Sequence, residues 1–308
     1  MKLSQSISII VSLTMLNWSL SAHALTGNLK KIKESGVVTL GVQETSIPFA
    51  YLDYNQQHIG YSIDLCLKAV EAIKKELGLK KLKIEMLAVT SATRIPLIAN
   101  NTISMSCGSA TNNYDRQKVV SFAPTMFVVS TRLMVKKSSH IKNLEDMKGK
   151  NIVAISGSSN IKLITEINNK RHLGMNIIPA KDYADGFLML ETGRAAAYYT
   201  DDILLAGHAA NSKSPNDYEI VGEPLSIEPY GIIISRDDPD FKKLVDKALS
   251  DLYKSDEIKK IYTKWFLSAI PPKGINLNVP ISPELQAVFA NPTDSGNPDD
   301  YIVSKATK

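Results

Sequence analysis

Cysteine, histidine and long apolar runs are scarce in this chain of 308 residues, and each scarcity excludes something. The two cysteines, Cys66 and Cys107, are far apart and form no Cys-x-x-Cys pair. An exported compartment permits them to bond, yet Cys66 lies in an apolar helical pattern and Cys107 ends a strand. Two buried free thiols are an equally good expectation. The five histidines, at 23, 58, 140, 172 and 208, have no metal-ligand spacing. Neither a Gly-x-Ser-x-Gly elbow nor a phosphate loop is present. After the N-terminal segment no run approaches the roughly 18 apolar residues of a membrane span. A formal charge of +5, with Lys scattered among Asp and Glu, gives no basis for nucleic-acid binding.

What is present begins with an export signal. Met1 to Ala24 carries one cation, Lys2, then an apolar Ile7 to Leu20 run, then Ala22-His23-Ala24, a small-x-small site. Residues 1–24 are expected to be a signal peptide cleaved after Ala24, leaving a soluble exported protein. Neither cysteine stands directly after a small residue at the cleavage site, so no lipid anchor is expected.

The rest alternates strand-like and helical patterns. Asn28 can cap a short helix from Leu29 to Glu34, and strand Val37 to Val42 follows Gly36. Helix Tyr61 to Leu77, strand Leu82 to Val89, a helix capped by Ser91 and carrying Arg94, and strand Ile103 to Cys107 come next. A second series runs from Ile152 through helices at Ser159 and Asp182 to strand Ala195 to Thr200. Tyr230 to Ile234 reads as one more strand, followed by helices Pro239 to Ser255 and Asp256 to Phe266. Alternation of this kind implies α/β architecture, with ligands beyond the C-terminal strand ends. From about Pro292 the chain is expected to be disordered or loosely attached.

The stretch Ser106 to Gln117 concentrates the groups that hold a carboxylate. Gly108 admits close backbone approach, Ser109 and Thr111 offer hydroxyls, and Arg116 offers a planar fork. The same residues would also make an ordinary polar turn. Asp201 could be a helix cap or an anion facing a ligand cation.

Several runs resemble the polar amino acid binding proteins of bacterial ABC importers, and most of all their glutamate/aspartate branch. They include Thr90-Ser91 with Arg94-Ile95-Pro96-Leu97, Cys107-Gly108-Ser109 with Thr111-Asn112-Asn113, Phe127-Val128-Val129 with Thr131-Arg132-Leu133, Ala180-Lys181-Asp182, and Lys264-Trp265-Phe266. The resemblance covers roughly Leu29 to Phe289. It implies a two-lobed periplasmic binding protein of the type II, Venus-flytrap form, with two crossover strands near Met126 to Ser130 and Ser226 to Tyr230. Residues 25–126 plus 231–291 would form one lobe, 127–230 the other with the hinge strands, and 292–308 a C-terminal tail.

By the same resemblance, Arg116 pairs with a ligand α-carboxylate, helped by Ser109, Thr111 and Ser159, and Asp201 binds the α-ammonium. Three basic residues read the side-chain carboxylate in the glutamate/aspartate branch. Here those positions hold Gln43, Arg94 beside Ser91, and Tyr183, so only one cation is kept. A neutral ligand would leave a buried Arg94 unpaired, which favours an acidic amino acid over glutamine or asparagine. The expected partners are an amino acid and an inner-membrane ABC permease with its ATPase; a monomer without cofactor or metal is expected. An exported dehydratase-type enzyme on the same scaffold is the alternative, with Glu44 the one nearby acid to nominate.

Overall fold

The computed structural model describes residues 25–303. The expected signal peptide lies outside the described residues. No helix among the described residues is long and apolar enough to cross a membrane.

Strand Val37–Val42 buries Val38, Leu40 and Val42 on one face and lies second from the edge of a five-stranded sheet. Lys83–Ala88 and Met105–Cys107 flank it in parallel, and Ile233–Ser235 and Val120–Phe122 continue the sheet antiparallel. Helix Tyr61–Glu76 packs on this sheet through Ile63, Leu65, Cys66, Ala69, Val70 and Ile73. A second sheet runs in the order Asn176–Ala180, Asn151–Ile155, Ala197–Asp201, Phe127–Lys136, Tyr218–Val221. Its first three strands are parallel and its last two pairings antiparallel.

Two crossings join these lobes. Phe127–Lys136 pairs through its first half with Ile227–Tyr230, in register Phe127↔Tyr230 to Ser130↔Ile227, and through its second half with the second sheet. The chain therefore enters the second lobe at Phe127 and returns at Tyr230. An aromatic cluster anchors both crossings to the first lobe: Phe127 stacks on Phe266 at 4.8 Å, and Tyr230 meets Phe49 edge-on at 5.2 Å. Aromatic contacts of this kind add about 0.5–1.5 kcal/mol each beyond the area they bury.

One open question is decided and three expectations need correcting. Cys66 and Cys107 are joined in a disulfide, because helix Tyr61–Glu76 lies directly over the strand that Cys107 ends. Thr26, not Asn28, precedes the first helix, Gly27–Ser35; Asn28 is buried and donates to Asp238 through its backbone and side-chain nitrogens, at 2.6 and 2.9 Å. Tyr230 to Ile234 is split into two strands belonging to the crossing and to the first sheet. Residues 292–303 are packed rather than loose, with Tyr301 buried and its hydroxyl 2.8 Å from that of Thr125.

Candidate functional site

The C-terminal ends of both sheets face one another across a cleft, and most polar residues singled out in the sequence meet there. Strand Met105–Cys107 delivers Gly108 and Ser109 to it. Arg94 opens helix Arg94–Ala99 and is only 1% exposed. One of its terminal nitrogens donates to the Ser109 carbonyl at 2.9 Å and to Gln43 Oε1 at 3.2 Å; its Nε has no partner. Gln43 Oε1 also accepts from the Ser109 amide at 2.9 Å. The space above Gly108 is occupied by this amide, since a Cβ there would lie 2.3 Å from Gln43 Oε1. Gly108 thus admits Gln43 rather than lying open to a ligand.

Ser91 is buried, with its hydroxyl 3.5 Å from Gln43 Nε2. It does not cap the following helix: Thr93 precedes that helix and exchanges hydrogen bonds with Thr90. Across the cleft Tyr183 begins helix Tyr183–Glu191, which Asp182 caps through the Asp185 amide, and its hydroxyl lies 3.0 Å from Ser109 Oγ. A cavity of about 290 Å³ opens beside this contact, lined by Gln43, Ser91, Lys181 and Tyr183 among others.

Arg116 lies in the short helix Tyr114–Gln117, whose cap Asn113 accepts from the Arg116 amide at 2.9 Å. Its guanidinium is half-buried and spans the cleft, donating to the Thr111 carbonyl at 2.7 Å in one lobe and to the Gly157 carbonyl at 3.3 Å in the other. Burial, then the nearby Arg94, push its pKa down to about 10, so it remains charged at neutral pH. Among the described residues no carboxylate approaches either guanidinium within 4.0 Å.

Asp201 ends strand Ala197–Asp201 and is 3% exposed. Its side chain makes no cap hydrogen bond to the following helix. Instead Asn160 Nδ2 donates to it at 3.0 Å, and the Tyr230 hydroxyl donates to its other oxygen. Burial, reinforced by the Glu228 charge, raises its pKa well above the ordinary carboxylate value.

Glu228, Tyr230 and Asn160 are site residues that the sequence reading did not reach. Glu228, 6% exposed, sits in crossing strand Ile227–Tyr230 and accepts from the hydroxyls of Thr111, Ser159 and Ser226. Thr111 and Ser159, expected to serve a ligand carboxylate, thus also hold a carboxylate of the chain. The signal was a single acid between Ile227 and Pro229 in a buried strand, where a charge persists only when partnered. Glu44 lies on the rim, more than a third exposed, 3.1 Å from His58 Nε2.

Two α/β lobes, paired antiparallel crossings and a cleft with two guanidiniums opposite two carboxylates define a two-lobed solute-binding protein. The chain belongs to the bacterial extracellular solute-binding proteins, family 3, which match residues 38–268. It is 51% identical to the L-glutamate/L-aspartate-binding protein of Pseudomonas aeruginosa, over 91% of this chain and 93% of that one. It is 44% identical to the glutamate/aspartate import solute-binding protein of Escherichia coli K12, over 89% and 91% of the two chains. Among solved structures, an ancestral arginine-binding protein bound to arginine superposes with a TM-score of 0.67 at 29% identity, covering 75% of this chain and 98% of its own. These relatives are binding proteins, not enzymes.

Proposed function

We propose that the protein is a periplasmic receptor for L-glutamate or L-aspartate that closes around its ligand and presents it to an ABC permease. The observation carrying this reading is the charge arrangement of the cleft. Arg94 and Arg116 are paired with neutral oxygens only, while Asp201 stands buried on the opposite lobe. Glu228 is already taken up by the hydroxyls of Thr111, Ser159 and Ser226, so the groups left for a ligand are two cations and Asp201, which match two carboxylates and one ammonium. In this reading Arg116 takes the α-carboxylate with Thr111, whose carbonyl accepts from it, and Ser159, whose hydroxyl bonds that of Thr111; Ser109 stands at the other end, its hydroxyl against Gln43 and Tyr183. Asp201 takes the ammonium, and Arg94 with Gln43, Ser91 and Tyr183 takes the side-chain carboxylate.

Arg94 is less exposed to an unpaired state than its sequence context suggested, since Ser109 and Gln43 already accept from one of its terminal nitrogens; its buried Nε lacks a partner. The preference for acids over glutamine and asparagine is therefore expected to be real but narrow. Residues 1–24 fit a cleaved signal peptide, residues 25–126 plus 231–291 one lobe, and 127–230 the other. A monomer suits a molecule that must dock singly on a permease.

The test is calorimetric titration of unfolded and refolded, ligand-free protein with L-glutamate, L-aspartate, L-glutamine and L-asparagine. Both acids should bind, and Arg116→Ala should abolish binding of all four. Tight binding of the amides with silence from the acids, or normal binding by the Ala variant, overturns the assignment.

A further inference from the structure

Residues 269–303 lie beyond the stretch that matches the family, and they do not trail into solvent. Helix Pro283–Ala290 packs Leu285, Val288 and Phe289 inward, and the chain then runs across the hinge. At the entrance to the first crossing, the Thr125 amide donates to the Thr293 carbonyl at 2.8 Å. Beside the cleft, the Asp294 carbonyl accepts from Asn112 Nδ2 at 2.8 Å and from Gln117 Nε2 at 3.0 Å. The Asp294 carboxylate pairs with Lys242 at 2.7 Å. Tyr301 closes the segment on itself, its hydroxyl reaching the Ser295 carbonyl and Thr125.

These contacts converge on the turn that carries Arg116. Asn112 is buried; its amide donates to the Pro229 carbonyl in the second crossing at 2.7 Å, and its Oδ1 accepts from Gln117 at 2.8 Å. Asn113 is the cap of the Arg116 helix. Gly296 and Pro298 line the same cavity, of about 530 Å³, as Arg116, Ser159 and Glu228. Without the segment, Asn112 and Gln117 lose the Asp294 acceptor they share, and the turn keeps its backbone bonds to Pro229 and Gly231, the Thr111 contacts with Glu228 and Ser159, and the Arg116 bond to Gly157.

We infer that residues 292–301 are a strap that positions Arg116, tying its turn to both hinge crossings and so setting how strictly the α-carboxylate is read. A guanidinium that must meet a carboxylate through two parallel hydrogen bonds is sensitive to small displacements of its backbone. This inference rests on the assignment of Arg116 to the α-carboxylate. Asn112 and Tyr301 act through Arg116 and are positioning residues.

The experiment compares the full chain with one ending at Asn291, titrating each with L-glutamate, its α-amide and L-glutamine. The full chain should favour glutamate over the α-amide. Truncation should shrink that ratio roughly tenfold, the worth of about one charge-assisted hydrogen bond, while the glutamate-to-glutamine ratio, read at Arg94 and Tyr183, stays put. Should the shortened chain fail to fold, Tyr301→Phe and Asn112→Ser in the full chain should move the same ratio in the same direction by a smaller factor. An unchanged α-amide ratio, or an equal loss for all three ligands, overturns the strap as a positioning device. Silence of the full chain towards all three ligands overturns the receptor reading instead, and the strap inference with it.

Discussion

Gln43 and Asp201 show how far single residues set the character of this cleft. Gln43 Oε1 accepts at once from Arg94 and from the Ser109 amide, so it organises the side-chain end of the site as well as lining it. Gln43→Arg removes that acceptor and adds a cation beside Arg94. The variant, with or without Tyr183→His, should favour acids over amides more strongly in calorimetry. It should also unfold more readily in denaturant, by about 1–3 kcal/mol for the donors left unmatched. Asp201 has its pKa raised by burial and by Glu228, so its surroundings disfavour the anion that a ligand ammonium must meet. Lowering the pH through that raised value should weaken amino-acid binding, by up to about tenfold per pH unit. For the ligand-free fold the sign is opposite. A raised carboxyl pKa contributes stability below the ordinary carboxylate range, near 4, and loses it as pH rises through the folded value. Titrations between pH 4 and 8 check the first trend, and a flat affinity there would remove Asp201 from the ammonium role.

Among the elements, helix Tyr61–Glu76 and strand Met105–Cys107 are the pair most dependent on one bond. The Cys66–Cys107 disulfide closes a loop with a sequence separation of 41 and ends one residue before Gly108. Loop-closure entropy assigns such a crosslink roughly 4 kcal/mol. Equilibrium unfolding with and without reductant should differ by about that amount, provided thiol titration shows the bond opened; coincident curves would mean that native packing alone holds this corner. The ends of elements were legible in sequence where local chemistry sets them. The helix placed at Asp182 does begin there, with Asp182 as its cap, and Asn101, a residue type that tolerates the left-handed region, ends the Arg94 helix with φ 58°. The failures came where a distant partner decides: Asn28 was recruited by Asp238, and Ser91 by the Gln43 amide.

At the scale of the whole molecule, the lobes meet through backbone. Gly157 has φ +75°, and a Cβ there would fall 2.5 Å from Ala92 Cα in the other lobe. Gly157→Ala should therefore obstruct closure, while strain in the left-handed region costs the fold only about 1–2 kcal/mol. Solution scattering should show the native protein contracting on addition of L-glutamate and the variant failing to contract. Contraction of both would place closure elsewhere. A second backbone contact lies at helix Asp202–Asn211, where a Cβ on Gly207 would fall 2.7 Å from the Ile47 carbonyl oxygen; beside it burial pushes the His208 pKa down to about 4, which keeps the imidazole neutral.

The α/β alternation and the polar turn from Ser109 to Arg116 were legible in the sequence alone, because periodicity and turn chemistry are local properties; the departure at Gln43 and Tyr183 was visible only against the family it resembles. Resemblance extended that to two lobes. Only the tertiary structure decided that Cys66 bonds Cys107, that Glu228 enters the cleft, and that residues 292–301 strap the Arg116 turn to the hinge. Each joins groups more than 40 residues apart, and no local pattern records which distant surface a side chain will meet once hydrophobic burial has folded the chain.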